Sequence, residues 1–183
     1  HTHAFPDHVA ARAMEKLSGH GVEAVGDGTV SDLLARMDAA DVDLAVICPI
    51  ATRPEQAGGI LQWAKKIASD RIRCMASVHP DDADAAKHVA RAAQAGLPGV
   101  KLHPNYQAFA ADEPRGDDVY RAIADHGLVL LAHCGRDFAF PPDDDRAAPH
   151  RFARVLDRHP SLRLVATHMG GYRMWDEVEQ VLV

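Results

Sequence analysis

Apolar positions along the chain fall into two alternating rhythms. Over residues 7–17, Val9, Ala13, Met14 and Leu17 recur at helical spacing, and Gly19 and Gly21 close the segment. Residues 29–40 repeat this, with Leu33, Leu34 and Met37 as the stripe and Thr29 or Ser31 as the cap. Nearly continuous apolar runs then stand at 42–50, 72–78, 98–103, 128–133 and 162–168, as strands buried on both faces should. Helices are predicted between and after them: 54–69, with Ile60, Leu61, Ala64 and Ile67 on one face, then 81–95, 117–126, 147–159 and 174–183. No low-complexity stretch or linker divides the chain, so residues 1–183 read as a single domain.

Strand, helix, strand at a beat of about 30 residues calls for a parallel sheet. A doubly wound open sheet would show a glycine-rich phosphate turn after its first strand; here Gly26-Asp-Gly28 follows no strand. A (β/α)8 TIM barrel instead puts its chemistry at the C-terminal ends of several strands, which is where His79, His103, His133 and His168 stand. The barrel is the expected fold. Five strands, plus one that would precede His1, make six of the eight βα units. The chain is therefore expected to be an internal piece lacking the body of strand 1 and all of strands 7 and 8.

The histidines carry the candidate chemistry. His1 and His3 are one residue apart, so on an extended segment their side chains share a face and can reach one ion. An isolated H-x-H arises by chance. Its weight comes from recurrence: G-V-K-L-H-P at 99–104, L-L-A-H-C-G at 130–135 and V-A-T-H-M-G-G at 165–171 each end an apolar run in a histidine followed by Gly or Pro. Lys101 shares a face with His103 one layer deeper, where an unpaired ammonium is costly, so it is read as paired with a buried carboxylate. His103 is either stacked on Pro104 or in contact with substrate. Tyr106, Tyr172 and Arg136 follow the site histidines and are candidates for gripping a substrate ring or carboxylate. Gly135 and Gly170-Gly171 are expected to leave space beside the site for water. His79 reads as a strand terminator; His20, His126 and His159 as helix-end residues; and His8, His88 and His150 carry no assigned role.

Composition narrows the partners. With 47% hydrophobic and 25% charged residues the chain is an ordinary globular protein, and a net charge of −6 with no basic run argues against nucleic acid. No apolar stretch approaches the roughly 18 residues of a membrane span. Cys48, Cys74 and Cys134 lie inside apolar runs and read as reduced core thiols of a cytoplasmic protein. The expected partner is a small-molecule substrate, and a homo-oligomer is compatible with the sequence.

The segments H-T-H-A-F-P-D, G-V-K-L-H-P-N-Y-Q, L-A-H-C-G and T-H-M-G-G-Y-R-M-W-D-E-V, in this order, resemble the amidohydrolase superfamily over essentially the whole chain. Within it they are most similar to amidohydrolase-related metal-dependent hydrolases, whose relatives include nonoxidative decarboxylases of the aminocarboxymuconate-semialdehyde type. The resemblance implies a distorted (β/α)8 barrel holding one or two divalent ions, with Zn²⁺ expected. It makes His1, His3 and His133 metal ligands. His168 becomes a ligand of a second ion or a catalytic proton-transfer group, and Lys101, if carboxylated, the bridge. The family's strand 8 aspartate has no counterpart in these residues. The implied reaction is hydrolysis of a small amide, ester or lactone by metal-activated water; the alternatives are a decarboxylase and a non-catalytic metal-binding barrel.

Overall fold

The computed structural model describes residues 1–18 and 25–183, so Gly19, His20 and Gly21 lie outside the described residues. The elements follow the predicted rhythm: α1 (Asp7–Ser18), α2 (Val30–Ala39), β1 (Ala45–Ile47), α3 (Ala57–Ile67), β2 (Ile72–Cys74), β3 (Ala76–Ser77), α4 (Ala85–Gln94), β4 (Gly99–Leu102), α5 (Asp117–Asp125), β5 (Val129–Ala132), α6 (Pro149–Arg158), β6 (Arg163–Ala166) and α7 (Trp175–Val181). All strand pairs are parallel; β1–β2 form one pair and β3–β4–β5–β6 a four-stranded sheet, with every pairing between sequence neighbours. This sequential order is that of a TIM barrel, of which these strands form a partial, distorted arc. Thr29 caps α2, accepting from the Asp32 amide.

Three departures from the predicted elements have physical causes. The 42–50 strand shrinks to Ala45–Ile47 because the Val42 amide still bonds to the Met37 carbonyl at the end of α2, and Val42 and Leu44 are exposed. The 72–78 strand is divided at Met75. Its first half pairs with β1 and its second half with β4, and the Met75 amide donates to Ile47 at 2.9 Å, so the arc changes partners in mid-strand. β6 is not buried on both faces; Val165 is 47% exposed at the edge of the four-stranded sheet.

The core lies between the outer helices and the sheet. Val89 and Ala92 of α4, Tyr120 and Ile123 of α5 and Phe152 and Val155 of α6 pack against Val100, Leu102 and Leu130 of the strands. The three cysteines are free and buried, and burial pushes the Cys74 thiol up to about 12, so it stays protonated. No helix among the described residues is long and apolar enough to cross a membrane.

An ion network fixes α6. Asp112 accepts from Arg151 and Arg154 at 2.7 Å each, and Asp117 at the start of α5 takes Arg158 and His159 at 3.0 Å. Burial works to raise the Asp112 pKa, but the two arginines outweigh it and hold the carboxyl below its usual range. A lowered carboxylate pKa adds stability that is complete above about pH 4 and is lost as pH falls through the folded-state value. Asp112→Asn is therefore expected to cost about 2 kcal/mol near neutrality and to flatten the acid limb of a urea-denaturation series between about pH 5 and 3. An unchanged acid limb would contradict this role.

Candidate metal centre

The site is built on strand ends. The Thr2 backbone bridges β1, with its amide donating to Val46 and its carbonyl accepting from Cys48, both at 2.9 Å, which turns His1 and His3 to the same side. β4 delivers Lys101 and His103, β5 delivers His133, and β6 delivers His168. His1, His3, Lys101, His103, Tyr106, His133, Arg136, His168 and Tyr172 all line one open cleft of about 1420 Å³.

Inside it the histidines form a continuous chain. The rings of His1 and His3 are 5.1 Å apart, and His1 is 5.7 Å from His168. His168 Nε2 lies 3.0 Å from His133 Nδ1, and the His133 ring stacks on His103 at 4.0 Å with only 8° between planes. His103 therefore packs on His133 and edge-on to Tyr106 at 4.6 Å, where stacking on Pro104 was one expectation. His133 Nε2 is 3.1 Å from the Arg136 carbonyl, which can only accept. The ring proton therefore sits on Nε2, and the Nδ1 lone pair faces His168.

The environment keeps the rings of His3, His103, His133 and His168 neutral. Burial first, then the neighbouring charge of Lys101, lowers His3 to about 4, although its ring is open towards the cleft. Burial also brings His103 down to about 4, against the contrary pull of Asp137. His133 is lowered by burial and by His103 beside it. Neutral imidazoles are the state a metal requires.

Lys101 is fully buried, and its Nζ has no hydrogen-bond partner. The expectation of a paired lysine is thus not met: no carboxylate among the described residues forms an ion pair with it. Burial pushes its pKa down to about 8. His103 Nδ1 is likewise buried and unpartnered.

One residue of the site was not singled out in the sequence. Asp137 Oδ2 stands 3.4 Å from His103 Nε2 and 4.0 Å from His133 Nε2, and possible ligand atoms of these three residues all lie within 4.8 Å of one another. Burial works to raise its pKa, and the contact with His103 and the Ala139 amide outweigh it, holding Asp137 ionised. The signal was present in H-C-G-R-D, a carboxylate four residues after a strand-end histidine. Neutral imidazoles with one carboxylate and an unpartnered ring nitrogen form a donor set that fits a borderline divalent cation.

The glycines do not leave room for water, contrary to expectation. A Cβ on Gly135, at φ +91°, would overlap the backbone of Tyr172; one on Gly170 would lie 2.5 Å from Val178; and one on Gly171 would lie 2.9 Å from Pro149. They are sites of close chain approach. Tyr172 bridges back to Gly135 here, its amide donating to Cys134 and its carbonyl accepting from Arg136. His79 stands just past the end of β3, as expected of a strand terminator, its Nδ1 accepting from the Asp81 amide at 3.1 Å.

Gln107 holds the floor together. Its buried Oε1 accepts from the His103 amide at 2.8 Å, and its Nε2 donates to the carbonyls of Ala51 at 2.9 Å and Val78 at 2.7 Å. Three strand ends are thereby tied to one side chain. Gln107→Leu leaves three buried backbone groups unpaired and is expected to cost about 3 kcal/mol in chemical denaturation; a loss under about 1 kcal/mol would show that the side chain is dispensable.

The sequence profile of the amidohydrolase family matches residues 1–182. The chain belongs to this family. The fold is shared with solved structures. A TIM-barrel protein from Bordetella bronchiseptica superposes with a TM-score of 0.69 at 16% identity, over 97% of this chain and 66% of that one. The 5-carboxyvanillate decarboxylase of Sphingomonas paucimobilis gives 0.60 at 23% identity, over 86% and 55%. The 5-carboxyvanillate decarboxylase of Novosphingobium aromaticivorans, solved with manganese and 3-methoxy-4-hydroxy-5-nitrobenzoic acid, gives 0.64 at 20% identity, over 75% and 49%. The chain thus spans about half to two thirds of the length of these proteins. No protein of curated function matches it in sequence.

Proposed function

We propose that the cleft is the catalytic site of a divalent-metal-dependent hydrolase acting on a small amide, ester or lactone. The observation that carries this reading is the 3.0 Å contact between His133 Nδ1 and His168 Nε2 beside the ionised Asp137, at the C-terminal ends of parallel strands. His1, His3, His103, His133 and Asp137 would hold the ion. Lys101, buried without a partner, would join them as a carbamate if carboxylated. Zn²⁺ suits so histidine-rich a donor set, and the manganese of the Novosphingobium decarboxylase makes Mn²⁺ the alternative. When bound, such an ion polarises a carbonyl and lowers the pKa of water. The chain's own part is to accept a proton at His168, return it to the leaving group, and orient the substrate with Arg136, Tyr106 and Tyr172.

Nonoxidative decarboxylation is the second reading, favoured by the likeness to two 5-carboxyvanillate decarboxylases and by Arg136 standing in an aromatic-walled cleft. One panel separates the two readings. The full-length protein, with and without added metal, is offered small esters, lactones and amides beside aromatic carboxylic acids. Metal-dependent turnover of the first group supports the hydrolase. Release of CO₂ from the second, with the first silent, replaces it by the lyase.

A further inference from the structure

Two helices line the same cleft as the histidines, and each turns a helical stripe into it. From α1 come Val9, Arg12, Ala13, Lys16 and Leu17; from α3 come Gly59, Ile60 and Trp63, preceded by Gln56. Most of the apolar stripe that the α1 sequence assigns to the core thus lines open space; Val9 is 37% exposed. Gly59 lies inside α3, where glycine costs about 1 kcal/mol relative to alanine. No close approach requires it, since a Cβ there would meet no atom within 4 Å. A larger side chain at this position would project into the cleft.

The charge of the wall is unlike that of the protein. The chain carries −6, yet on the helical wall the cations Arg12 and Lys16 outnumber the anion Glu15, and on the strand side Arg136 offsets Asp137. Arg12 and Lys16 sit one turn apart on α1, and neither forms an ion pair with a described residue. A cleft of one sign in a protein of the other concentrates oppositely charged ligands.

We infer that the space between α1 and α3 is a substrate subsite for an anionic, amphipathic molecule: an aryl or branched alkyl body packs on Gly59, Ile60 and Trp63, and its carboxylate meets Arg12 and Lys16, away from the histidines. This rests on the cleft being the catalytic site and names the class of substrate it takes.

The test uses the full-length, metal-loaded protein and its variants Arg12→Glu, Gly59→Phe and Gly59→Leu, with Lys65→Glu on the exposed side of α3 as control. Calorimetry measures binding of 4-phenylbutyrate and of neutral 4-phenylbutanol. Kinetics compare the monomethyl ester of phenylsuccinate with methyl 4-phenylbutyrate. Arg12→Glu is expected to weaken phenylbutyrate roughly tenfold, in a salt-sensitive way, and to raise KM for the anionic ester by the same factor relative to methyl 4-phenylbutyrate, leaving phenylbutanol affinity unchanged. Both Gly59 variants, checked for helicity by circular dichroism, should weaken both ligands. Arg12→Glu behaving like Lys65→Glu, or Gly59 variants binding both ligands normally, overturns the subsite. If no ester is turned over while the Arg12-dependent affinity difference persists, the hydrolase reading fails and the subsite stands. If esters are turned over with binding indifferent to Arg12 and Gly59, the reverse holds.

Discussion

Replacing His133 by alanine is expected to lower divalent-metal affinity on the order of a hundredfold or more and to remove turnover with it. The reason is position: His133 touches His168 at 3.0 Å, stacks on His103 at 4.0 Å and stands 4.0 Å from Asp137, so it is the side chain the others share. Its removal also leaves a gap into which the His103 ring can rotate. Elemental analysis after dialysis against a fixed free-metal buffer measures the first effect. His8→Ala, on α1 and outside the cleft lining, is the control and should retain its metal. Equal metal content in the His133→Ala and wild-type proteins would remove His133 from the ligand set.

Gly135→Ala is expected to cost about 3 kcal/mol or more and to lower activity out of proportion to the stability loss. Gly135 stands at φ +91°, a conformation that L side chains rarely adopt, and its Cβ would overlap the backbone of Tyr172. The chain must therefore separate along the Gly135–Tyr172 bridge. That bridge holds Arg136 through its amide, and Arg136 in turn holds His133 through its carbonyl at 3.1 Å. Thermal denaturation should show a fall of about 6 °C or more for a chain of this size. A variant as stable as the wild type would mean that the close approach is not required.

The fold was legible where the side-chain rhythm is strong. Parallel βα order followed from alternating apolar runs and amphipathic helices, and the strand-end histidines followed from the barrel rule, because both depend on local periodicity. Strand length was not legible at 42–50 and 72–78, since pairing decides it: β1 starts late because the backbone of Val42 is still engaged by α2, and the second strand splits at Met75 as its partner changes. Within the site, His1, His3, His133 and His168 were brought together as their spacing suggested. Asp137 escaped notice because a single aspartate in a loop carries no periodic signal, and only the fold brings its carboxylate back to His103. The glycines were misread for a related reason: sequence shows that a residue is small, not what presses against it. Gly135 and Gly59 illustrate the two cases, one crowded by backbone and the other facing open space.

The neighbour-by-neighbour order of the strands also shapes how the chain can be made. Every strand pairing among the described residues joins segments about 24 to 34 residues apart in the chain. At roughly 5–20 residues per second of synthesis, a new βα unit emerges from the ribosome every few seconds, while helices and small loops close in microseconds or less. Every strand can thus dock onto an edge already in place, and the arc can grow in the direction of translation. His1 and His3 enter first, then Lys101 and His103, then His133 and last His168, so the histidine chain reaches its full reach only when β6 is laid down.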